Sequence, residues 1–298
     1  MSWAVLHGFA LTLVCLPLCA LRALCGENLP PPLRLTTDGS FKQNLQWSPD
    51  GKTLLFTRIH EGKMSLWLMP AQKDGELKRL LPNHTEPHFD GHWAPDGKRI
   101  VYVYDKLEGT DGKLRINSCA ADGSDDQVLI PHKAFEESPR FSPDGKKVLW
   151  VSTRGKNPDL YTVDAEGKNE KRLTNDLAYD LHPAWSPDGK HIAFASGRSG
   201  RQKIHLMNAD GTDAKKLTDG EFLDSWPAWR PGGKQLAFVS NRSGNYDIWL
   251  MNSEGKERVN LTENKAQDTS PAWHPDGKKL AFVSTRDGGS DIYVIDVK

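Results

Sequence analysis

The sequence predicts an all-β fold: a six-bladed β-propeller of four-stranded antiparallel blades, with the last blade closed by the N-terminal strand. Three observations predict it. A twelve-residue pattern recurs along the chain, as in PAWSPDGKHIAF at 183–194 and PAWHPDGKKLAF at 271–282. Its aromatic position recurs at intervals of 44 to 48 residues, the period of a four-stranded blade. The final unit lacks a fourth strand that a segment before the first unit can supply. The six aromatic anchors are Trp47, Trp93, Phe141, Trp185, Trp229 and Trp273.

Every repeat has the same internal order, which the fifth one shows clearly. AWRP predicts a strand a, KQLAFVS a strand b, DIWLMN a strand c and ERVNLT a strand d, and Gly, Asn and Pro separate the runs. In the PDG form of the a–b turn, Pro fixes φ and Gly accepts a positive φ, which favours a tight hairpin. Strands b and c are apolar on both faces, as expected for blades packed face to face.

The two ends of the chain predict how the ring closes. The last unit ends with strand c, in DIYVIDVK. Pro32–Asp38, with the sequence PLRLTTD, resembles the strand d of the third unit, EKRLTND at 170–176. We therefore expect the N-terminal segment to form the outer strand of blade six, which protects an otherwise open sheet edge.

Residues 183–262 carry a pattern that resembles the WD40-like (PD40) repeats of TolB-type propellers, including the S-x-R loops SGRSG, SNRSG and, further on, STRDG. The resemblance covers roughly residues 32–298 and implies the propeller fold. Similar repeats occur in the periplasmic TolB protein, in propeller domains of serine peptidases and in oligogalacturonate lyases. TolB also carries an α/β domain before its propeller, and we expect this chain to lack that domain.

Composition and the first residues predict an exported protein. Lys plus Arg equals Asp plus Glu, at 39 each, so no basic field for nucleic acid is expected. Residues 1–25 are mostly apolar and end in ALC, which indicates a signal peptide cleaved before Gly26, followed by a linker at 26–31 and the propeller at 32–298. An uncleaved membrane anchor is the alternative, but the apolar run is short for a span. A periplasmic or secreted monomer without a membrane span is expected.

Motifs for covalent catalysis do not occur in the sequence. It contains no G-x-S-x-G elbow and no Gly-rich phosphate loop opening a helix. Three of the four cysteines precede Gly26, so Cys119 is the one thiol expected in the mature chain, within strand c of blade two. No base is evident near it, so the sequence predicts no catalytic residues.

An acidic ring is predicted on the face that carries the b–c loops and the d–a crossovers, here called the crossover face. Five residues before each anchor stand Lys42, His88, Glu136, Asp180, Asp224 and Asp268. The partner-binding residues predicted at the channel mouth are Glu136, Asp180, Asp224, Asp268, Trp226 and His182. The alternative is structural, because Arg154, Arg198, Arg242 and Arg286 of the S-x-R loops can clasp the acids. Asp159, Asp247 and Asp291 compete for three of those arginines.

Histidines concentrate on the same face, chiefly in the crossover NHTEPHFDGHW. If HFDGH is extended, alternate side chains share one side and suit a divalent metal. The residues predicted to bind it are His84, His88, Asp90, His92 and His132. The alternative is a set of separately solvated loop histidines, since the spacing matches no strong zinc signature. No other cofactor is predicted.

Two functions are therefore compatible with the sequence. One is an exported, non-catalytic propeller that binds a protein or peptide partner in the cell envelope. The other is a metal-dependent polysaccharide lyase resembling oligogalacturonate lyase. A lyase cleft for acidic sugars needs Arg and Lys, whereas the predicted mouth is acidic, which favours the first.

Overall fold

The computed structural model describes residues 30–106 and 114–298, and within these ranges it contains β-strands and no helix. Residues Pro32–Lys298 form one compact unit. Its six sheets each contain four antiparallel strands, which are consecutive in the sequence in five blades and include the N-terminal strand in the sixth. The predicted all-β, six-bladed architecture is confirmed. Within the described ranges there is also no helix of the length and apolarity needed to cross a membrane.

The first three blades follow one another along the chain. Blade one contains β2 (Lys42–Trp47), β3 (Thr53–His60), β4 (Lys63–Pro70) and β5 (Lys78–Arg79). Blade two contains β6 (His88–Trp93), β7 (Arg99–Tyr104), β8 (Leu114–Ala120) and β9 (Gln127–Ala134). Blade three contains β10 (Glu136–Phe141), β11 (Lys147–Ser152), β12 (Asp159–Asp164) and β13 (Lys171–Arg172).

The other three blades repeat this order, and the last takes one strand from the start of the propeller. Blade four contains β14 (Asp180–Trp185), β15 (His191–Ser196), β16 (Lys203–Asn208) and β17 (Lys215–Lys216). Blade five contains β18 (Asp224–Trp229), β19 (Gln235–Ser240), β20 (Asp247–Asn252) and β21 (Val259–Asn260). Blade six contains β22 (Asp268–Trp273), β23 (Lys279–Ser284), β24 (Asp291–Asp296) and β1 (Leu33–Arg34).

The ring closes as the sequence predicts. Strand β1 pairs antiparallel with β24, with Leu33 opposite Val294 and Arg34 opposite Tyr293. The Leu35 amide then donates to the Ile292 carbonyl over 2.8 Å, and the Leu35 side chain is buried. The Arg34 guanidinium also lies 2.6 Å from the Asp291 carboxylate. The N-terminal strand is therefore held by its backbone, by an ion pair and by one buried side chain.

In blades one, three and four the turn after the innermost strand is held by its own side chains. In blade one the Ser48 hydroxyl donates to Asp50 over 2.6 Å and accepts from the Thr53 amide over 2.9 Å. Gly51 has φ of 71°, a conformation that glycine adopts at little cost. Blades three and four repeat the Ser–Asp contact at the same distance. These hairpins define the face opposite the crossovers, here called the hairpin face.

The core lies between neighbouring blades. Phe56 of blade one packs in one cluster with Ala281 and Ile292 of blade six. Indole donors join blades at the inner edge, since Trp47 Nε1 donates to the Ala272 carbonyl over 3.1 Å. Burial of each large apolar side chain contributes about 1.5–3 kcal/mol to folding. Cys119 is a free, buried thiol in β8, and burial raises its pKa to about 12, which leaves it protonated.

Candidate functional site

Every innermost strand contains a β-bulge at the same place. The pairing register with the second strand shifts in all six blades, for example between Leu181 and Ala184. One residue within each shift has φ between 47° and 54°, in the left-handed region. A bulge of this kind breaks the strict alternation of side chains and re-aims them. The six residues are Asn44, Asp90, Ser138, His182, Trp226 and Ser270.

A central cavity of about 490 Å³ lies beside these bulges. Four bulge residues line it: Asn44, His182, Trp226 and Ser270. The lining continues through the six aromatic anchors to the prolines that begin the hairpin turns. The cavity therefore occupies the half of the channel nearer the hairpin face. The partner-binding residues were expected at the channel mouth on the crossover face.

Blades two and three give the cavity a polar sector. Arg140 lines the cavity, and its Nη1 donates to Asp90 Oδ1 over 2.9 Å and to the Pro139 carbonyl over 2.8 Å. The neighbouring His92 accepts a 3.4 Å hydrogen bond on Nδ1 from the Phe141 amide. Burial, reinforced by the charge of Arg140, lowers the pKa of His92 to about 3, so this imidazole is neutral.

Blades four and five give it an aromatic sector. The rings of His182 and Trp226 lie 4.5 Å apart at 34°. His182 Nδ1 lies 2.8 Å from the Ser225 hydroxyl, which accepts from Gln202 Nε2 over 3.1 Å. Burial lowers the pKa of His182 to about 4, and the opposing charges of Asp90 and Arg140 act on it more weakly. The structure thus brings together two residues predicted at the channel mouth, inside the cavity.

The acidic ring lies outside this cavity and pairs with arginines of its own blades. Glu136, Asp180, Asp224 and Asp268 are fully buried. Their carboxylates lie 2.6 Å, 2.8 Å, 2.8 Å and 3.0 Å from Arg154, Arg198, Arg242 and Arg286 respectively. In each case the arginine Nε donates to a serine hydroxyl. This geometry is that of the clasp, and binding of a partner by the four acids stays a prediction.

The aspartates that were expected to compete for these arginines act elsewhere. Asp159 pairs with Arg172 over 2.5 Å and Asp291 with Arg34 over 2.6 Å. Asp247 accepts from Asn260 over 2.9 Å. Each of these contacts joins a strand c to the outermost strand of its blade.

The residues predicted to bind a metal are separated by the bulge at Asp90, where alternation fails. Asp90 pairs with Arg140, while His88 is buried and its Nδ1 lies 2.8 Å from the Glu86 carbonyl. His84 contacts His88 ring to ring at 5.7 Å, and its Nε2 lies 3.4 Å from Asp126. The side chain of His132 lies outside what the structure describes. Across residues 30–106 and 114–298, no three His, Cys, Asp or Glu side chains form a group suited to a metal ion.

Sequence reasoning missed Arg140, Asp90 as its ion-pair partner, and the bulges that define the cavity. One signal was present. Proline stands inside four innermost strands, and proline within a strand is found mainly at edges or bulges. These residues are Pro139, Pro183, Pro227 and Pro271.

Among proteins of known name, a TolB homolog of Chlorobium luteolum is 29% identical over 131 residues, which is 44% of this chain and 28% of that protein. Dipeptidyl-peptidase 5 of Porphyromonas endodontalis is 27% identical over 124 residues, 38% of this chain and 17% of that protein. The chain therefore matches less than a third of the length of either relative.

Two solved structures share the fold. A putative TolB from Agrobacterium tumefaciens superposes with a TM-score of 0.67 at 24% identity, over 87% of this chain and 91% of that one. An oligogalacturonate lyase in complex with manganese gives 0.57 at 12% identity, over 91% and 98%. At these identities the likeness shows the fold alone. The family model of the TolB beta propeller domain matches residues 63–225 and 218–298, well over half of the sequence, and this chain belongs to that family.

Proposed function

We propose that this protein is an exported, non-catalytic binding module whose central channel holds a segment of a protein or peptide partner. The observation that carries the proposal is the cavity beside the six bulges. Binding pockets of known proteins are mostly apolar concavities with a few well-placed polar groups. Here tryptophans and prolines supply the apolar wall, and Arg140, His92 and His182 supply polar atoms.

The scaffold around the cavity suits such a role because it is rigid. All six innermost strands are tied to the second strand of their blade, and indole hydrogen bonds join blade one to six and blade six to five. A preformed site pays little conformational entropy on binding, so a short peptide segment is held by few contacts. The four bulge residues that line the cavity are all different, so each presents its own side chain to a ligand: Asn44, His182, Trp226 and Ser270.

Capture of a partner from envelope extract tests the proposal when it is paired with a blocked channel. Ala184 lines the cavity, so Ala184→Trp fills part of it. Leu177→Ser is the matched control, because Leu177 is 95% exposed in a crossover on the other face. We expect the wild type and the control to capture the same partner and the blocked variant to lose it. If the wild type, the control and the blocked variant all captured the partner, the channel would not be the binding site.

Export is proposed from residues 1–25, which lie outside the described residues. Their apolar run and the small residues around position 25 support cleavage before Gly26. Mass spectrometry of the mature chain checks this. A mass that includes residues 1–25 would contradict the cleavage and favour the membrane anchor.

The competing function is a metal-dependent lyase acting on acidic sugars. One observation favours it: Arg140 places a cation in the cavity wall, as a site for a carboxylated sugar needs. Incubation with oligogalacturonate and manganese, followed by detection of unsaturated products, tests it directly. If the wild type cleaved the sugar and Arg140→Lys did not, the protein would be an enzyme and the proposed binding function would be wrong.

A further inference from the structure

We propose that Arg140, His92 and His182 form a carboxylate-binding subsite in the channel, occupied by an acidic side chain or the carboxyl terminus of the bound peptide. The proposal rests on the function proposed above and gives it a ligand chemistry. Its charge is opposite to that of the predicted acidic ring, because here the protein supplies the cation and the ligand supplies the carboxylate.

Arg140 uses only part of its guanidinium within the protein. Nη1 holds Asp90 and the Pro139 carbonyl, while Nε and Nη2 make no hydrogen bond with any described residue. These two atoms are not among the buried polar atoms that lack a partner, so they remain accessible where Arg140 lines the cavity. The Nε–Nη2 edge is the one that receives a carboxylate in two parallel hydrogen bonds.

His182 presents a second donor, and its hydrogen bonds determine the tautomer. Ser225 Oγ accepts from Gln202 Nε2, and among the described residues His182 Nδ1 is the acceptor within reach of the Ser225 hydroxyl proton. A neutral imidazole that accepts on Nδ1 carries its proton on Nε2. Nε2 has no partner among the described residues and is not a buried orphan, so this N–H is available to the cavity.

His92 presents a third donor by the same reasoning. Its Nδ1 accepts from the Phe141 amide, so the proton of the neutral ring is on Nε2. That atom is not a buried orphan, and His92 lies in the cavity lining with its ring near the Trp93 carbonyl. Arg140, His92 and His182 all line the same cavity. The polar sector and the adjoining aromatic sector thus present three donors to one cavity, and a carboxylate offers four acceptor positions to them.

Trp226 supplies the wall for the rest of the ligand. Its φ of 47° is unusual for a bulky residue, and the equivalent positions in four other blades hold Asn, Asp or Ser. The fold therefore does not need an aromatic ring at this position. The bulge keeps the indole against His182 in the cavity lining, beside the donors. A peptide with an apolar residue next to a carboxylate fits this arrangement.

Three dipeptides on the intact protein test the subsite by calorimetry. Acetyl-Trp-Gln-amide is neutral, acetyl-Trp-Glu-amide carries a side-chain carboxylate, and acetyl-Trp-Gln carries a terminal one. We expect at least one acid to bind about tenfold more tightly than the neutral probe, and the better acid identifies the source of the carboxylate. Equal affinity for all three would overturn the subsite while leaving a peptide-binding channel. If none of the three dipeptides bound, the carboxylate-binding subsite would also be overturned. The proposed function would still be tested by capture of a partner from envelope extract.

Arg140→Lys separates recognition from folding. Lysine keeps the charge opposite Asp90 and removes the planar edge, so the preference for the acid should fall to about threefold or less while the melting temperature is preserved. Arg99→Gln is the matched control, because Arg99 pairs with Asp125 outside the cavity. An acid preference that survives in Arg140→Lys contradicts the proposal. Trigalacturonate is the last probe. If this sugar bound more tightly than the acidic dipeptides and Arg140→Lys abolished that binding, the ligand of the subsite would be an acidic sugar and not a peptide.

Discussion

Arg242 and Asp224 form a buried ion pair under the crossover face, with Nη2 2.8 Å from Oδ1. The carboxylate is fully buried, and the arginine side chain is 11% exposed. Lys203, which replaces the aspartate found at this position in blades three, five and six, lies 3.7 Å from the same carboxylate. One carboxylate thus balances two cations removed from solvent.

Asp224→Asn should therefore destabilise the propeller. The substitution keeps the shape but leaves Arg242 and Lys203 without a buried counter-charge, which costs about 3 kcal/mol. We expect the melting temperature to fall by about 5 °C or more. Glu221→Gln, in the same crossover and with its side chain 89% exposed, is the control and should change nothing measurable. An unchanged or raised melting temperature for Asp224→Asn would instead support a ligand-binding ring.

The repeat made the position of the acidic ring predictable, but not its role. Equivalent positions in a repeat fall at equivalent places in the ring of blades, and Glu136 and Asp180 each begin the innermost strand of their blade. Which arginine each acid meets depends on side-chain geometry across a hairpin. Asp159 and Asp291 are nearer in sequence to Arg154 and Arg286 than the ring acids are, yet they hold the outermost strands.

Leu35→Ala should weaken ring closure. Leu35 is 1% exposed and packs with blades one and six beside β1. Removal of its buried side chain should lower the free energy of unfolding by about 2–4 kcal/mol, measured by urea denaturation. Leu33→Ala is the control, since Leu33 is 54% exposed on the same strand. Equal effects of the two substitutions would mean that backbone pairing alone closes the ring.

His88 should make the protein sensitive to acid. Burial lowers its pKa from 6.5 to about 4 in the folded state. As the pH falls, His88 therefore becomes protonated in the unfolded chain before it does so in the folded protein. Its contribution to the free energy of unfolding is fully present above pH 6.5 and is lost as the pH drops toward 4. The contribution lost is about 3 kcal/mol. His88→Gln should flatten the fall of unfolding free energy between pH 6.5 and 4. A slope identical to that of the wild type would show that His88 does not carry this linkage.

The channel could be predicted only in part, because it is formed by contacts distant in sequence. Two neighbouring blades must pack together before Arg140 of blade three meets Asp90 of blade two, or His182 of blade four meets Trp226 of blade five. The bulges also interrupt the alternation of side-chain directions along a strand, on which predictions of facing residues depend. Asp90, expected to lie beside His88 and His92, turns to Arg140 instead.

Binding of an acidic peptide should strengthen as the pH falls, because the subsite is electrically balanced before the ligand arrives. Asp90 offsets Arg140, and His92 and His182 are neutral. Burial, reinforced by the charge of Asp90, raises the pKa of Glu137. A bound carboxylate adds an uncompensated negative charge, which raises the pKa of His182 above its free value of about 4.

The complex therefore takes up a proton that the free protein does not hold. Affinity for the acidic dipeptide should rise from pH 8 toward about pH 5 and decline where the ligand carboxylate itself protonates, near pH 4. Calorimetry in buffers of different ionisation enthalpy measures the proton uptake. The neutral dipeptide should show none, and His182→Asn should remove the uptake seen with the acid. Proton uptake that persists in His182→Asn would assign the linkage to His92 or Glu137. Affinity for the acid that stays constant between pH 8 and 5 would show that no group in the channel compensates the ligand charge.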